Sequence, residues 1–505
     1  MANTAFKEYA QNHGGRVLLL FLLFSLALYE LATSGLTIFA VICVLPAIIL
    51  LAVAAFHYRM FLFWTLITAN YLIQMKDMAL PIPTSVPNEL LQILLLALAI
   101  IDVQESKFER TANAMFYALL IWVSFCLLQV LNDTCGIGVD VAAWYTVARM
   151  IGFQLIYIFL VFSIYVTTPK IMVKYLFLWG GFALFASFWV WKQKYIGFTP
   201  AESAWINTRG RTTHIIQGGA LIRYFSIYSD AANFGIGIAS TAVSFLVFGI
   251  TSKIKKHKRF FLAVGLACTW AMFPSGTRTA MACFMAGLMV YIFMSKSFKI
   301  AIPFTLVFGT LAFLLVFTTV GNGNAQIRRM RTAFDKNDAS AGARKHNQEA
   351  MKKYLAEAPW GIGMGVGHSN APANNKYTFM AKVPPDSEYV FIWIHTGIIG
   401  ITTFLVCQAI IFLGAFRIVF FQLKSPSLRG IGAGFCCAFV SQQLGGYGNQ
   451  VLLQFPNCLV FYGGMTLVYL MPLMENDWIA YEKEELEKED YYKRLKLERK
   501  RASRV

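Results

Sequence analysis

A chain of 505 residues that is 57% hydrophobic and only 14% charged, with a mean hydropathy of +0.56, is not a water-soluble globule, since such domains carry about 25% charged residues. It reads as a polytopic membrane protein. The formal charge of +18 invites a nucleic-acid reading, but no aromatic-plus-basic nucleic-acid module accompanies it and much of the excess sits in short loops, where membrane orientation explains it.

Apolar runs of about the twenty residues that a helix needs to cross hydrocarbon follow one another near 17–32, 36–56, 60–75, 88–102, 113–131, 145–166, 174–191, 230–250, 260–275, 278–295, 300–320, 389–412, 430–448 and 453–472. They predict an all-α polytopic transmembrane bundle of roughly 12–14 spans with a long external loop containing short helices. A barrel is excluded, because each helix satisfies its own backbone. The first apolar run follows only Lys7, Glu8 and Arg16, and Tyr29-Glu30-Leu31 offers no small-residue cleavage site, so insertion is expected to start with that span. Three basic clusters fall in short connections on one side: Lys253, Lys255, Lys256, Lys258 and Arg259; Lys296 and Lys299; Arg417, Lys424 and Arg429. Positive charge marks that side as the cytoplasm. Both termini are then inside, and loops 192–229 and 321–388 lie on the far, outer face.

Residues 1–472 thus form the transmembrane domain and 473–505 a charged cytoplasmic tail. In the tail, Glu482-Lys483-Glu484-Glu485-Leu486-Glu487-Lys488 alternates acids and bases, which suits a solvated helix with pairs four residues apart, or a partner-binding one. Most of the nine cysteines lie in spans and none in the large outer loop, which argues against a disulfide framework.

Loop 321–388 is too long and too patterned for a connector. Arg209, Arg211 and Arg223 crowd one outer loop, and Arg328, Arg329, Arg331 and Arg344 the other. Guanidinium groups grip phosphate oxygens two at a time, so outward clusters at the membrane surface suggest a lipid-linked phosphate or pyrophosphate. For Arg328, Arg329 and Arg331, attraction to anionic headgroups is the alternative. Arg278 occupies a Gly-containing break between two spans, Phe273-Pro274-Ser275-Gly276-Thr277-Arg278-Thr279-Ala280; a charge so near hydrocarbon is a site candidate by default, with snorkelling as the competing reading. The segment 340–358 predicts a helix with Ser340 as N-cap and Pro359 as its stop. Arg344, Gln348, Met351 and Leu355 share one stripe of it, while Lys345, Lys352 and Lys353 lie off that stripe. Arg344 would head the packed face, where a buried guanidinium needs an anion.

In order, the chain shows Arg223 before Phe225-Ser226-Ile227-Tyr228-Ser229-Asp230-Ala231-Ala232-Asn233-Phe234-Gly235, then Ser275-Gly276-Thr277-Arg278-Thr279-Ala280, then Arg344 on a loop helix ending in Pro359-Trp360-Gly361-Ile362-Gly363-Met364-Gly365, then Gly397-Ile398-Ile399-Gly400. Over about 205 to 412 this resembles the O-antigen ligase and O-antigen polymerase superfamily; before that, only hydropathy agrees. The resemblance implies an inverting, metal-independent glycosyltransferase that takes a polyprenyl-diphosphate-linked glycan as donor and a glycan hydroxyl as acceptor. It assigns Arg223, Arg278 and Arg344 to the diphosphate, and physics concurs, since a departing diphosphate gathers negative charge that fixed cations stabilise. Arg209, Arg211 and His368 join as further substrate-binding candidates.

One departure bears on the reaction. Ligases of the family carry His at the start of His-(Asn/Ser/Gln)-x9-Gly-x-x-Gly, whereas here Asp386-Ser387 precedes nine residues and Gly397 and Gly400. Asp386 would accept a hydrogen bond from an acceptor hydroxyl, although neighbouring arginines would make it a weak base. That favours a polymerase of O-antigen, exopolysaccharide or capsule type over a ligase delivering glycan to a lipid A-core acceptor. His368 either replaces the missing His or sits incidentally in a Gly-rich turn, and His395 either serves chemistry or bonds a neighbouring helix. The series Gly361, Gly363, Gly365, Gly367 follows a helix and lacks a Lys-Ser/Thr ending, so no nucleotide is expected. No cofactor is expected either, and His and carboxylates show no metal-ligand spacing. Trp189, Trp191 and Trp205 suit sugar stacking or an interfacial belt. A flippase for lipid-linked oligosaccharides is the rival outside enzymology; the absence of an internal repeat and the long outer loop count against it. The partners implied are the lipid-linked glycan, the acceptor, the bilayer, and a chain-length regulator or flippase, with no nucleic acid.

Overall fold

The computed structural model describes residues 58–78, 85–101, 108–216, 221–295, 325–331, 339–366, 375–382 and 387–502, with isolated positions between 15 and 29 and between 302 and 323. Two compact units divide the chain, Met1–Thr65 and Leu66–Val505. In the first, isolated helical positions and the start of α1 (Arg59–Leu72) are described.

The described residues of the second unit are helical almost throughout. It contains α2 (Ser85–Ile101), α3 (Ala114–Leu128), α4 (Val141–Ala148), a π-helical turn over Arg149–Phe153, α5 (Gln154–Tyr165), α6 (Pro169–Tyr195), α7 (Pro200–Asn207) and α8 (Arg211–His214). A two-stranded antiparallel hairpin follows, β1 (Ile215–Ile216) on β2 (Leu221–Ile222), with Ile215 opposite Ile222. Then come α9 (Ala231–Thr251), α10 (Lys255–Ala271), α11 (Arg278–Met294), α12 (Ala325–Arg331), α13 (Ala339–Ala356), α14 (Thr378–Lys382), α15 (Glu388–Arg417), α16 (Pro426–Gly448) and α17 (Asn457–Ala502). Among the described residues, six helical stretches are long and apolar enough to cross a membrane, with Ser85–Ile101 and Arg278–Met294 as shorter apolar helices. The all-α, multi-pass membrane class therefore stands. The spans expected near 17–32, 36–56 and 300–320 lie outside the described residues.

Local sequence sets the helix starts. Thr168 accepts from Ile171 N and places Pro169 in the first turn of α6, where a missing N–H costs nothing. Asp230 caps α9 through Ala232 N at 2.7 Å and Asn233 N at 2.9 Å. Helix α9 is buried along nearly its whole length among α10, α11 and α16. Small residues let it sit there, because backbones in a membrane attract each other by close contact rather than by hydrophobicity; Ser244 Oγ donates to the Gly434 carbonyl of α16 at 2.9 Å.

At one end of this bundle the tail is docked. Helix α17 runs unbroken for 46 residues, about 69 Å at 1.5 Å per residue. Glu475 Oε1 accepts from Lys424 N and Ser425 N at 2.6 and 2.7 Å, and Glu489 accepts from Lys255 N and Lys256 N at 3.2 and 3.0 Å. Glu482 pairs with Lys253 at 2.8 Å, and Trp478 Nε1 donates to Ser427 Oγ. The tail is helical as the charge pattern predicts, but its inner face is buried rather than solvated. Its carboxylates satisfy orphan N–H groups at the starts of α10 and α16 and meet their positive dipole ends. Lys253, Lys255, Lys256 and Lys424 thus share one end of the bundle with the tail.

Candidate active site

The other end is built first from the segment between α6 and α9. Thr199 and Glu202 form a reciprocal capping box on α7. The Glu202 carboxylate, 1% exposed, also accepts from Trp189 Nε1 and Gln193 Nε2, each at 2.7 Å. Gln193 in turn brackets Ser226, accepting from its N–H at 2.8 Å and donating to its carbonyl at 3.1 Å, while Ser226 Oγ donates to Ala186 O. The loop is thereby fastened to α6. Trp189 and Trp205 are engaged within it: Lys76 Nζ lies 4.2 Å over the Trp205 ring and donates to Ser229 O at 2.7 Å. Burial draws Lys76 down to about 8, with Asp230 and Glu202 pulling the other way, so it remains protonated at neutral pH.

His214 locks the segment to the start of α9. Its Nε2 accepts from Ala231 N at 3.0 Å, and its Nδ1 lies 2.7 Å from Thr213 Oγ1. Burial, followed by the Arg223 charge, lowers the imidazole to about 4. It is neutral at pH 7, as an acceptor nitrogen requires.

Arg223 spans from this loop to the turn before α11. Its Nη1 donates to Thr213 O at 3.0 Å, its Nη2 to Thr277 Oγ1 at 3.0 Å and its Nε to Ser275 O at 3.3 Å. From the other side, Arg329 on α12 donates its Nε to Gly276 O at 3.0 Å. Gly276 has φ +55°, a left-handed conformation that glycine adopts without strain. Arg278 is the next residue but one and opens α11, half-buried. Three guanidinium-bearing residues therefore gather on one turn, Phe273–Arg278.

The start of α15 reaches the same neighbourhood through the loop after α16. Asn449 Nδ2 donates to Thr279 Oγ1 at 3.3 Å; Leu452 N donates to Glu388 Oε2 at 3.1 Å; Ser387 Oγ donates to Gly446 O at 3.1 Å. Ser387 is the N-cap residue of α15. Asp386, immediately before it, and His368 lie outside the described residues, as does the side chain of Arg344. Arg209 and Arg211 are exposed on the turn between α7 and α8, close in sequence to Thr213, which takes the Arg223 bond.

The loop helix α13 keeps its expected faces. Met351 and Leu355 are buried against Ile362, Tyr377, Val390 and Ile394, while Lys345, Lys352 and Lys353 are exposed. Its boundary differs: the helix begins at Ala339, so Ser340 lies inside it rather than capping it. The glycine series beyond Pro359 has a packing role. Ile362 N donates to Ile394 O at 2.9 Å and Gly363 N to His395 O at 3.3 Å, across a kink in α15 where Gly397 has φ 67° and ψ −169°. A Cβ on Gly361 would strike the backbone of Thr396 and Gly397, and one on Gly397 would strike that of Pro359 and Gly361. His395 Nδ1 bonds Gly363 O at 3.0 Å, which leaves its ring in the scaffold.

Lys76, His214 and Glu388 are the contributors that sequence reasoning did not single out. Arg329 stood in a cluster read as a phosphate grip with a headgroup alternative, and Glu388 lies two residues after Asp386. Among the described residues no group of three His, Cys, Asp or Glu side chains is placed to hold a metal ion.

Residues 261–405, from α10 into α15, match the family model described as O-antigen ligase. That stretch includes Arg278, Arg344 and Asp386. No curated protein matches the chain. The matched segment, set in an all-α membrane bundle with Arg278 and Arg329 gathered at one turn, supports the resemblance to the O-antigen ligase/polymerase superfamily.

Proposed function

We propose that the chain is a polysaccharide polymerase, joining polyprenyl-diphosphate-linked repeat units on the outer face of the bacterial cytoplasmic membrane. The observation that carries this reading is the gathering of Arg223, Arg278 and Arg329 on one turn, with the start of α15 tied to it through Asn449 and Glu388. In the step proposed, an acceptor sugar hydroxyl attacks the anomeric carbon of the donor from the face opposite the diphosphate. A C–O bond forms, the bond to the diphosphate breaks, and configuration inverts. The electron pair leaves with the polyprenyl diphosphate, whose growing charge the arginines hold, Arg344 included. Asp386 orients the hydroxyl and receives its proton as the new bond forms. Arg209, Arg211 and His368 are proposed along the glycan.

The family description favours ligase as the second reading; Asp at 386 in place of His favours the polymerase. Membrane extracts of a strain lacking the chain separate these and the flippase. Single lipid-linked repeats on the outer leaflet support the polymerase. Full-length unattached polymer overturns it for a ligase, and lipid-linked repeats trapped on the inner leaflet overturn it for a flippase.

A further inference from the structure

A cavity of about 410 Å³ opens at the same end, between the first turn of α2, the α4–α5 junction, Ser229–Asp230 and Leu453–Phe455. Each of its two polar walls carries its own hydrogen-bonded set. On one, Arg149 Nη1 pairs with Glu89 Oε2 at 3.0 Å and Arg149 Nη2 donates to Ser85 Oγ at 3.2 Å. Tyr145 OH donates to Glu89 Oε1 at 3.0 Å. On the other, Ser229 Oγ lies 3.1 Å from Asp230 Oδ2 and 3.0 Å from Gln454 Oε1. Met150, Leu453 and Phe455 add apolar surface. Arg149 belongs to the π-helical turn, a distortion that re-aims a side chain and recurs at functional sites.

The charge balance chooses the ligand class. A diphosphate would face two carboxylates, Glu89 and Asp230, whereas a neutral polyol finds donors and acceptors side by side and an apolar surface for its C–H face. The position fixes the relation to the arginines. Thr277, which receives Arg223, donates through the same hydroxyl to Ala231 O at 2.7 Å, and Asp230 is the next residue. Cavity and arginine turn share a wall.

We propose that this cavity binds an uncharged saccharide segment of the substrate, gripped by Glu89, Arg149, Asp230 and Gln454, beside the diphosphate seat. This rests on the polymerase reading for which substrate brings the sugar. The test uses full-length protein in nanodiscs and, as probe, the phosphate-free repeat-unit oligosaccharide released by mild acid from lipid-linked repeats. Binding is followed by saturation-transfer NMR and calorimetry, with inorganic pyrophosphate as the second probe.

Glu89→Gln removes a charged acceptor, and loss of a charge-assisted bond of ~1.5–3 kcal/mol corresponds to a weakening of roughly ten- to a hundredfold. Thr146→Trp, on the exposed rim of the cavity, fills the space while leaving both residues of the ion pair in place and reads the same site if Glu89→Gln fails to fold. The expected result is at least tenfold weaker oligosaccharide binding in both, with pyrophosphate affinity unchanged. Wild-type oligosaccharide affinity in Thr146→Trp overturns the proposal, as does failure of the wild-type protein to bind the oligosaccharide. Polymer formation by the wild-type protein from lipid-linked repeats is scored separately. Its absence alongside cavity-dependent oligosaccharide binding counts against the polymerase reading and leaves the saccharide site standing.

Discussion

Position 386 distinguishes a carboxylate that serves chemistry from one that merely ends a loop. Asn keeps the shape of Asp but neither accepts a proton nor holds charge opposite arginines, while the two residues cap helices about equally. The N-cap position of α15 is Ser387, whose hydroxyl is directed to Gly446 O, so Asp386 stands one residue outside it. Asp386→Asn is expected to insert normally and make little polymer on gel profiles; wild-type chain lengths would reduce it to a loop residue. Arg278→Lys and Arg344→Lys are expected to be poorly active despite the retained charge, because the planar fork is lost. A loss of about 10²–10³ in rate is the scale for one preorganised donor, read in a membrane assay at matched expression. Full activity of either Arg→Ala variant removes that residue from the site. His214 supplies a pH dependence. Its folded pKa, about 4, lies below the unfolded 6.5, so its stabilising contribution is complete above about 6.5 and declines as pH falls toward 4. The unfolding free energy should fall over that window by up to about 1.4 kcal/mol per pH unit, read as a declining thermal midpoint, and His214→Gln, which retains an acceptor, should flatten the profile. An unchanged profile in that variant removes His214 as the cause. Arg278 was legible as a charge in a glycine-containing break, and the buried face of α13 as a stripe. The contacts of Arg329 and His214 were not, because each is a bond to a backbone group 53 residues away or 17 residues away, which no local pattern encodes.

At the scale of elements, the match between Pro359–Gly365 and the kink of α15 explains why two glycine-rich stretches recur together in the motif. Each backbone occupies the space a Cβ would need on the other. Gly397 is the stricter position, since its dihedrals are accessible almost only to glycine at a cost of ~1–3 kcal/mol for other residues. Crowding adds about 1–3 kcal/mol. Gly397→Ala is expected to lower the melting temperature or abolish folded yield in fluorescence size-exclusion profiles; a wild-type profile would contradict the contact. From the sequence alone, the glycine series gave no nucleotide expectation, because it follows a helix and lacks a Lys-Ser/Thr ending. The physical role lay in a long-range backbone contact instead.

For the whole molecule, helix positions were legible because hydrocarbon demands long uninterrupted apolar runs. The expected runs between 60 and 166 and between 389 and 448 coincide with described helices to within several residues, and the run at 453–472 opens a helix that continues to Ala502. Less legible was the tail, whose alternating charges read as solvent-facing although several of its acids close the ends of other helices. Both ends of the bundle are now chemically distinct, which makes sidedness testable. Single cysteines replacing Glu357 and Lys256, both exposed, should label with an impermeant thiol reagent in intact cells and only after permeabilisation, respectively. The eight native cysteines among the described residues are buried, so background is low. Labelling of the 256 site alone from outside would invert the orientation and with it the placement of the reaction.

Helix α17 carries a mechanical consequence. Its first residue, Asn457, donates to Asn233 O at 2.9 Å in the first turn of α9, and thirty-two residues later Glu489 holds the start of α10. A single rod therefore acts as a strut between the end of the bundle that holds the arginine turn and the end where the tail is docked. Load applied to the tail is carried along its axis rather than dissipated in a linker. Pro472 is the one place inside it where a ring replaces a backbone donor, and that is where the strut would flex first.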